Sequence, residues 1–536
     1  MASDSGQDGL TRRELLRRVG LMAGGSVMYQ AMNSLALAAE SPWKGPTELK
    51  GAPPGASVLI LGAGMAGMTA AYELRNAGYK VQVLEFNNRA GGRNWTLHGG
   101  DRYTELGGET QHCEFDPGLY INPGPWRIPY HHHGILSYCK RLGVALEPFV
   151  QVNYNALLHG SKAFGGKPQR FREIKADYQG QVAELLAKAT HQHALDSLVT
   201  REDQERLLES LRGWGALDSD FRYVAGDVSG ERRGYLKPPG GGLTARPESG
   251  TPIQLDDILQ SGLWRGVSSG DHYDMQTALF QPVGGMGRIG EAFGRELAGL
   301  IRYQAKVTSI QQDAAGVTVH YDDASKPGVS QTARADWCLC TIPLPILAEI
   351  PMNVGEQLGA AIGAVPYASS VKVGLQFKRR FWEEDDHILG GISYTDLPIT
   401  NIGYPSTGFH ANGKGVLLGA YIWGLNAMEF TSMTPGERVQ KAVEYGSQIH
   451  PQYKTEFDNG VAVAWHRVPF TQGCYGMWTT EARARHYDDL CAIDGRIALA
   501  GEHASFIGGW QEGAVTSALD AVGRLHQRAV AQGASA

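Results

Sequence analysis

Three glycines at fixed spacing, in Gly62-Ala63-Gly64-Met65-Ala66-Gly67, follow the apolar run Val58-Leu59-Ile60-Leu61, and Glu85 comes 23 residues after Gly62. Glycines so placed allow a tight turn and bring backbone amides close to a pyrophosphate. The start of the following helix adds a favourable dipole, and an acidic residue closing the next strand accepts hydrogen bonds from a ribose. The implied chemistry is dinucleotide binding, with Gly62, Gly64, Met65, Ala66, Gly67 and Glu85 as candidate contacts. Alone, such a glycine turn is common; strand, helix and acid together make it specific. Further on, Ser370-Val371-Lys372-Val373-Gly374-Leu375 alternates, so a strand there points Lys372 with Ser370 and Gly374 and away from Val371, Val373 and Leu375. An exposed lysine on an edge strand is the plainer use of that residue. His131-His132-His133 suggests a metal, but neighbouring side chains diverge in any regular element. The six cysteines form no CxxC pair and no zinc array, so no metal is expected. No Ser/His/Asp or Cys/His arrangement stands at a legible spacing.

The elements that must position these residues follow from the same pattern. Val58 to Leu61 reads as a buried parallel strand, a helix begins near Met65 with Ala70, Ala71, Leu74 and Ala77 on one face, and Gly78 ends it. Lys80 to Glu85 is the second strand. Lys306 to Ile310 and Val317 to Tyr321 alternate around Gly316, Trp337 to Thr341 is another apolar strand, and Arg496 to Ala500 precedes a helix beginning near Gly513. Strands at the start, middle and end of the chain imply one α/β nucleotide domain assembled from three segments. Residues 171 to about 270 are richer in charge and helix formers, as an inserted helical subdomain would be.

A chain of 536 residues can bury a sizeable core and is expected to divide into lobes. Its 42% hydrophobic and 19% charged residues speak for a soluble globular protein and against disorder. With 49 Lys+Arg against 55 Asp+Glu, no basic excess exists to grip a phosphate backbone, and nucleic acid is not an expected partner. Gly is the loudest compositional signal at 70 residues, clustered in pairs rather than periodic, which suggests backbone held close to a ligand.

Glu85-Phe86-Asn87-Asn88-Arg89-Ala90-Gly91-Gly92-Arg93 lengthens the glycine motif well past a nicotinamide fingerprint. Here the chain resembles the flavin-containing amine oxidase family. Further matches are Gly107-Gly108-Glu109, Gln281 to Met286, Ala500-Gly501-Glu502 and Gly508-Gly509-Trp510, so the resemblance spans nearly all of residues 55 to 530. It implies FAD as cofactor, with Arg93 near the pyrophosphate, Gly108 near the flavin, Val307 meeting adenine through its backbone and Glu502 binding the ribityl chain. The helix from Gly513 and Ala514 would aim its positive end at the flavin, where a dipole stabilises the anionic reduced form. The implied fold is a Rossmann-like, two-dinucleotide-binding FAD domain (55–116, 281–362 and 486–533), a mixed-sheet substrate domain (117–170 and 363–485) and a helical insertion (171–280).

Within the family, Pro123-Gly124-Pro125-Trp126-Arg127-Ile128-Pro129 is similar to the passage that places an arginine over the substrate of L-amino acid oxidases. A guanidinium holds a carboxylate through two parallel charge-assisted hydrogen bonds, so Arg127 would separate an amino acid oxidase from an amine oxidase. Its plainer use is an ordinary ion pair. Tyr404 matches the tyrosine that assists that arginine, Lys372 the lysine that holds a water beside flavin N5, and Trp510 and Tyr404 the aromatic walls. The carbonyl of Gly509 would receive the amine. The implied reaction takes hydride from Cα of an L-amino acid to flavin N5, dioxygen restores the flavin with release of hydrogen peroxide, and the imine hydrolyses to a 2-oxo acid and ammonia. Oxidation of a primary amine, diversion to decarboxylation and an amide as in an amino acid 2-monooxygenase, and a dinucleotide-binding protein without turnover all stay open.

At the N-terminus, Thr11-Arg12-Arg13-Glu14-Leu15-Leu16, an apolar stretch to Leu37 and Ala36-Leu37-Ala38 occur in the order of a twin-arginine signal over residues 1–38. Gly24, Gly25, Gln30 and Asn33 interrupt the stretch, which argues against a permanent membrane span. The expected partners are therefore an L-amino acid, dioxygen and the twin-arginine export machinery, with a homodimer as a further expectation. The expected location is outside the cytoplasm, periplasmic or secreted.

Overall fold

The structure, a computed structural model, describes residues 41 to 533 apart from 42, 46, 47, 244, 245, 276, 324 and 327. The twin-arginine segment with Arg12 and Arg13 lies outside the described residues.

Ser57–Leu61 is apolar at four consecutive positions and becomes an inner strand of a five-stranded parallel sheet. Lys80–Leu84 flanks it on one side and Trp337–Cys340 on the other, with Val58 in register with both Val81 and Trp337. Ile301–Arg302 and Ile497–Leu499 extend the two edges. Three distant parts of the chain thus share one sheet. Alternation divides its two faces. Val58 and Ile60 pack with Met68, Leu74, Val522 and Leu525 from the helices Met65–Asn76 and Gln511–Gly533. Leu59 and Leu61 pack with Cys338, Cys340, Val317 and Val319 on the other side. Each such side chain, fully buried, contributes about 1.5–3 kcal/mol, so a strand apolar on both faces has no stable place at a surface.

The long hairpin Ala305–Asp313 with Gly316–Asp323 and the strand Ser330–Ala335 form a separate three-stranded antiparallel sheet. A second large sheet, of seven strands, runs in the order Gln169–Arg170, Leu157–His159, Ile392–Thr395, Asn401–Gly403, Gly415–Trp423, Ser370–Phe377, Phe457–Ala464. Ser370–Phe377 is buried at every position and lies between two neighbours, so Lys372 is on an interior strand. Val371, Val373 and Leu375 enter the apolar cluster on one face, which leaves Lys372 on the other.

Four α-helices, Phe171–His191, Arg201–Trp214, Asp227–Arg233 and Leu255–Ser261, fill the stretch that its charge marked as an insertion. Its polar centre is Asp177, whose carboxylate accepts hydrogen bonds from Arg233 Nε (2.9 Å), Tyr223 Oη (2.8 Å) and the Ile253 amide (2.9 Å). After it the chain returns as Leu279–Pro282, which pairs with both Leu146–Phe149 and Ile128–Pro129. All six cysteines are unpaired, and among the described residues no helix is long and apolar enough to cross a membrane.

Removing one partner of a buried ion pair costs about 3–5 kcal/mol because the other charge is left without compensation. Asp177→Ala should therefore expose the helices between 171 and 261 to limited proteolysis under conditions that leave the parent chain intact. Equal resistance of the two proteins would contradict this.

Candidate active site

Between the parallel sheet and the seven-stranded sheet lies a cavity lined by residues of both. The glycine turn forms part of its wall. Gly64 is the extended residue before the helix Met65–Asn76, and a Cβ at Gly67 would lie 1.9 Å from the Gly62 carbonyl oxygen, so only glycine lets helix and strand approach this closely. Gly62, Gly64, Met65 and Ala66 line the cavity, while Gly67 serves that packing from behind. Glu85 also lines it. One of its oxygens accepts from the Ala63 amide at 2.6 Å and the other from the amide and side chain of Asn87 at 2.8 and 2.7 Å, so strand end and glycine turn are locked together.

Arg93, Val307 and Glu502 line the same cavity. Arg93 donates to Glu502 at 2.7 Å and to the Cys474 carbonyl at 2.9 Å. Glu502 in turn accepts from the amides of Gly476 (3.1 Å) and Gly509 (3.2 Å). The last helix starts at Gln511, two residues earlier than expected; Gln511 and Ala514 face the cavity. Gly513 does not, because its missing Cβ makes room for the Ile507 carbonyl. Backbone amides at the glycine turn, a helix start, the Glu85 carboxylate and one continuous cavity together fit a dinucleotide.

An aromatic lining continues from there. Arg127, only 5% exposed, has its Cζ 5.5 Å from the ring of Trp126 and 5.7 Å from that of Trp510. Trp126 contacts Tyr421, Tyr421 contacts Trp423, and Trp423 contacts Tyr475, with ring separations of 5.9, 4.9 and 5.8 Å. All of these rings lie on the cavity wall, as does Gly509. Arg127 directly precedes the short strand Ile128–Pro129, whose pairing with Leu279 and Phe280 brings the end of the insertion over it. Arg127 Nε donates to Met275 Sδ at 3.1 Å. Beside it, the carboxylate of Asp274 is buried and, among the described residues, neither oxygen has a hydrogen-bond partner; burial raises its pKa against the pull of Arg127.

Three expected residues lie elsewhere. Tyr404 is fully buried in the seven-stranded sheet, and its hydroxyl pairs with Ser393 Oγ at 2.7 Å and His450 Nε2 at 2.6 Å. It does not wall the cavity or reach Arg127; the neighbouring Gly403 lies under the Trp126 ring, and Tyr404 opens on a smaller cleft behind it. Gly108 is exposed at φ +91° in the turn between Arg102–Thr104 and Thr110–His112, donating to the Glu105 carbonyl at 3.0 Å. Its glycine character closes a hairpin away from the cavity. Lys372 stands one layer behind the lining: its ammonium donates to the carbonyls of Asn122 (3.2 Å) and Gly124 and lies 4.2 Å from the ring of Tyr421, its cross-strand partner.

Tyr421, Trp423 and Tyr475 were not anticipated from sequence. The first two stand two residues apart on one strand, so alternation put them on one face with nothing to say that the face was a cavity. His132 packs on Trp510 at 5.0 Å and is driven down to about 3 by burial, with His131 and His133 adding to the effect, so it is neutral. Glu512, fully buried, accepts from the amides of Gly134 (2.9 Å) and Ile135 (2.8 Å) at the start of the helix His133–Arg141 and so ties the Arg127 segment to the last helix.

Burial lowers the Lys372 ammonium to about 7, and the charge of Arg127 adds to the depression. The unfolded chain therefore holds a proton that the folded chain lacks from about pH 7 to about pH 10, and this group makes stability rise with pH across that window. Lys372→Met should gain stability relative to the parent at or below pH 7 and lose the advantage as pH rises. Denaturant midpoints measured for both proteins across the range test it; parallel profiles would refute the depressed value.

Comparison with known proteins agrees with this architecture. Residues 65–526 match the profile of the flavin containing amine oxidoreductase family. The YobN protein of Bacillus subtilis (strain 168) is 29% identical over 486 residues, covering 86% of this chain and 93% of its own. The L-amino-acid oxidase of Siganus canaliculatus is 27% identical over 490 residues, covering 88% and 85%. Among solved structures, cyclohexylamine oxidase from Brevibacterium oxydans IH-35A shares the fold, with a TM-score of 0.58 at 16% identity over 89% of this chain and 99% of its own. With the cavity, the glycine turn and the profile in agreement, the chain belongs to the flavin-containing amine oxidoreductase family, and its cofactor is FAD.

Proposed function

We propose that this oxidoreductase oxidatively deaminates L-amino acids, yielding a 2-oxo acid, ammonia and hydrogen peroxide. The observation that carries the reading is Arg127, a guanidinium held on the wall of the flavin cavity between two tryptophan rings. A guanidinium so placed matches a substrate carboxylate through two parallel donors, a group that a simple amine does not offer. The resemblance of the chain to L-amino-acid oxidases along most of its length supports the same reading.

In this scheme Arg127 anchors the substrate carboxylate through two N–H donors and thereby sets the direction in which Cα and its hydrogen point. The ring faces of Trp126, Tyr421, Trp423, Tyr475 and Trp510 exclude water and cover the substrate side chain. Glu85, Arg93, Val307 and Glu502 would hold FAD, which would supply the two-electron acceptor that dioxygen reoxidises. The start of the helix at Gln511 offers a positive dipole end to the negative charge that builds up on reduction. Lys372, behind Trp126, holds the carbonyls of Asn122 and Gly124 and so fixes the loop that carries Arg127. The same reading places the mature protein outside the cytoplasm, exported folded through the twin-arginine route.

Losing a charge-assisted anchor to a sheltered ligand costs about 2–5 kcal/mol, which corresponds to several decades of kcat/KM. Arg127→Ala should thus nearly abolish turnover of L-amino acids at parental FAD content, with a smaller deficit on the matching decarboxylated amine. Arg127→Lys should recover only part, since a point charge lacks the planar fork. Parental kcat/KM on L-amino acids in Arg127→Ala would move primary-amine oxidation ahead. For export, replacing Arg12 and Arg13 together by lysine should leave FAD-loaded precursor in the cytoplasm, as fractionation would show; unchanged export would end that assignment.

A further inference from the structure

The inserted helices carry a cleft of their own that shares no residue with the flavin cavity. It lies open between the loop at Tyr154, the first turns of the helix Phe171–His191, the end of Arg201–Trp214 and the helix Asp227–Arg233. Arg172, Lys175 and Gln179 follow one another at intervals of three and four residues and so stand on one helical face, while Arg232 enters from a different helix. No carboxylate lines the cleft, and among the described residues none of these three cations has one within ion-pair distance. In a chain with net charge −6, three converging cations without an acid are a concentrated local field.

The groups are aimed rather than scattered. Arg172 Nη1 donates to Asn155 Oδ1, which fixes its fork, and its buried Nε packs against Gly234. Arg232 is held by a hydrogen bond from Nη2 to the Gly213 carbonyl at 3.2 Å. Two large aromatic side chains at the mouth, Trp214 and Tyr154, are 50% and 53% exposed, and Lys175 Nζ lies 5.3 Å from the Tyr154 ring. Both rings are open to stack against a flat group. Three positive charges match a phosphate monoester, which carries about −1.5 to −2 at neutral pH, better than a single carboxylate. Two guanidinium forks and one ammonium are the donors such a group takes.

We propose that this cleft on the helical insertion binds a small phosphate monoester attached to a flat ring, the phosphate on Arg172, Lys175 and Arg232 and the ring against Trp214 and Tyr154. The site is separate from the flavin cavity, and its occupancy does not depend on which amine substrate the enzyme oxidises.

Calorimetric titration of the FAD-loaded protein with phenyl phosphate, inorganic phosphate and phenol tests both halves of the ligand. Phenyl phosphate should bind one to one, more tightly than either fragment. Arg172→Gln combined with Lys175→Gln should weaken it about tenfold or more, the loss expected for a charge-assisted contact. Arg232→Gln, on another helix and exposed, should weaken it independently, so the result does not hang on one variant folding. Unaltered resistance to proteolysis would show that the helices stay in place. Absence of saturable binding, equal binding of inorganic phosphate, or affinity unchanged in Arg232→Gln and in the double variant would each overturn the proposal.

Discussion

The ion pair between Arg93 and Glu502 is the tie on which the cavity depends. Arg93 follows the glycine turn, Glu502 follows the last sheet strand, and each also holds a third stretch of chain, Arg93 through the Cys474 carbonyl and Glu502 through the amides of Gly476 and Gly509. A charge in a poorly solvated place needs its partner and its remaining hydrogen bonds at once. Residues 93, 474–476, 502 and 509 are therefore constrained together, and the wall they form cannot spread without leaving a charge unpaired.

Glu512 makes the corresponding tie at the substrate end. Its carboxylate caps the helix His133–Arg141 with two backbone amides while its own helix, Gln511–Gly533, packs along Met65–Asn76 against the parallel sheet. The segment bearing Arg127 and the segment bearing Trp510 are thereby set by one side chain, and the packing of His132 on Trp510 closes the joint. The position of Arg127 follows from two constraints, this cap on one side and the pairing of Ile128–Pro129 with the strand that leaves the insertion on the other. For the function proposed above such an arrangement matters, because a fork of donors would select the geometry of a carboxylate only when the fork itself cannot turn.

How much of this was legible differs from residue to residue. The glycine turn and Glu85 were legible because they act locally: a strand, a turn and a helix within 30 residues leave one arrangement open to the backbone. Lys372 was legible as to face but not as to depth. Alternation pointed it away from Val371 and Val373, yet only the packing of Gly124 and Trp126 decides that the ammonium stops behind the cavity wall. Gly108 and Tyr404 were placed by likeness of short motifs, and in both cases the local role prevailed. A glycine at positive φ was needed to close a hairpin, and a buried tyrosine hydroxyl found its partners in Ser393 and His450 within the sheet.

By itself the sequence determined the parts whose physics is short-ranged: the apolar strand Val58–Leu61, the pyrophosphate turn after it, the helical character of the insertion and the presence of a cationic group at Arg127 within its motif. Tertiary structure decided which side chains share a cavity. Tyr421, Trp423 and Tyr475 become an aromatic wall only because the strand Gly415–Trp423 pairs with Ser370–Phe377 and the chain near 475 is drawn in by Glu502. Likewise Arg172, Lys175 and Arg232 form one cationic cleft only when two helices separated by more than 30 residues lie side by side. The reason is physical: spacing along a strand or helix sets the direction of a side chain, whereas the company it keeps is set by packing between elements far apart in the chain.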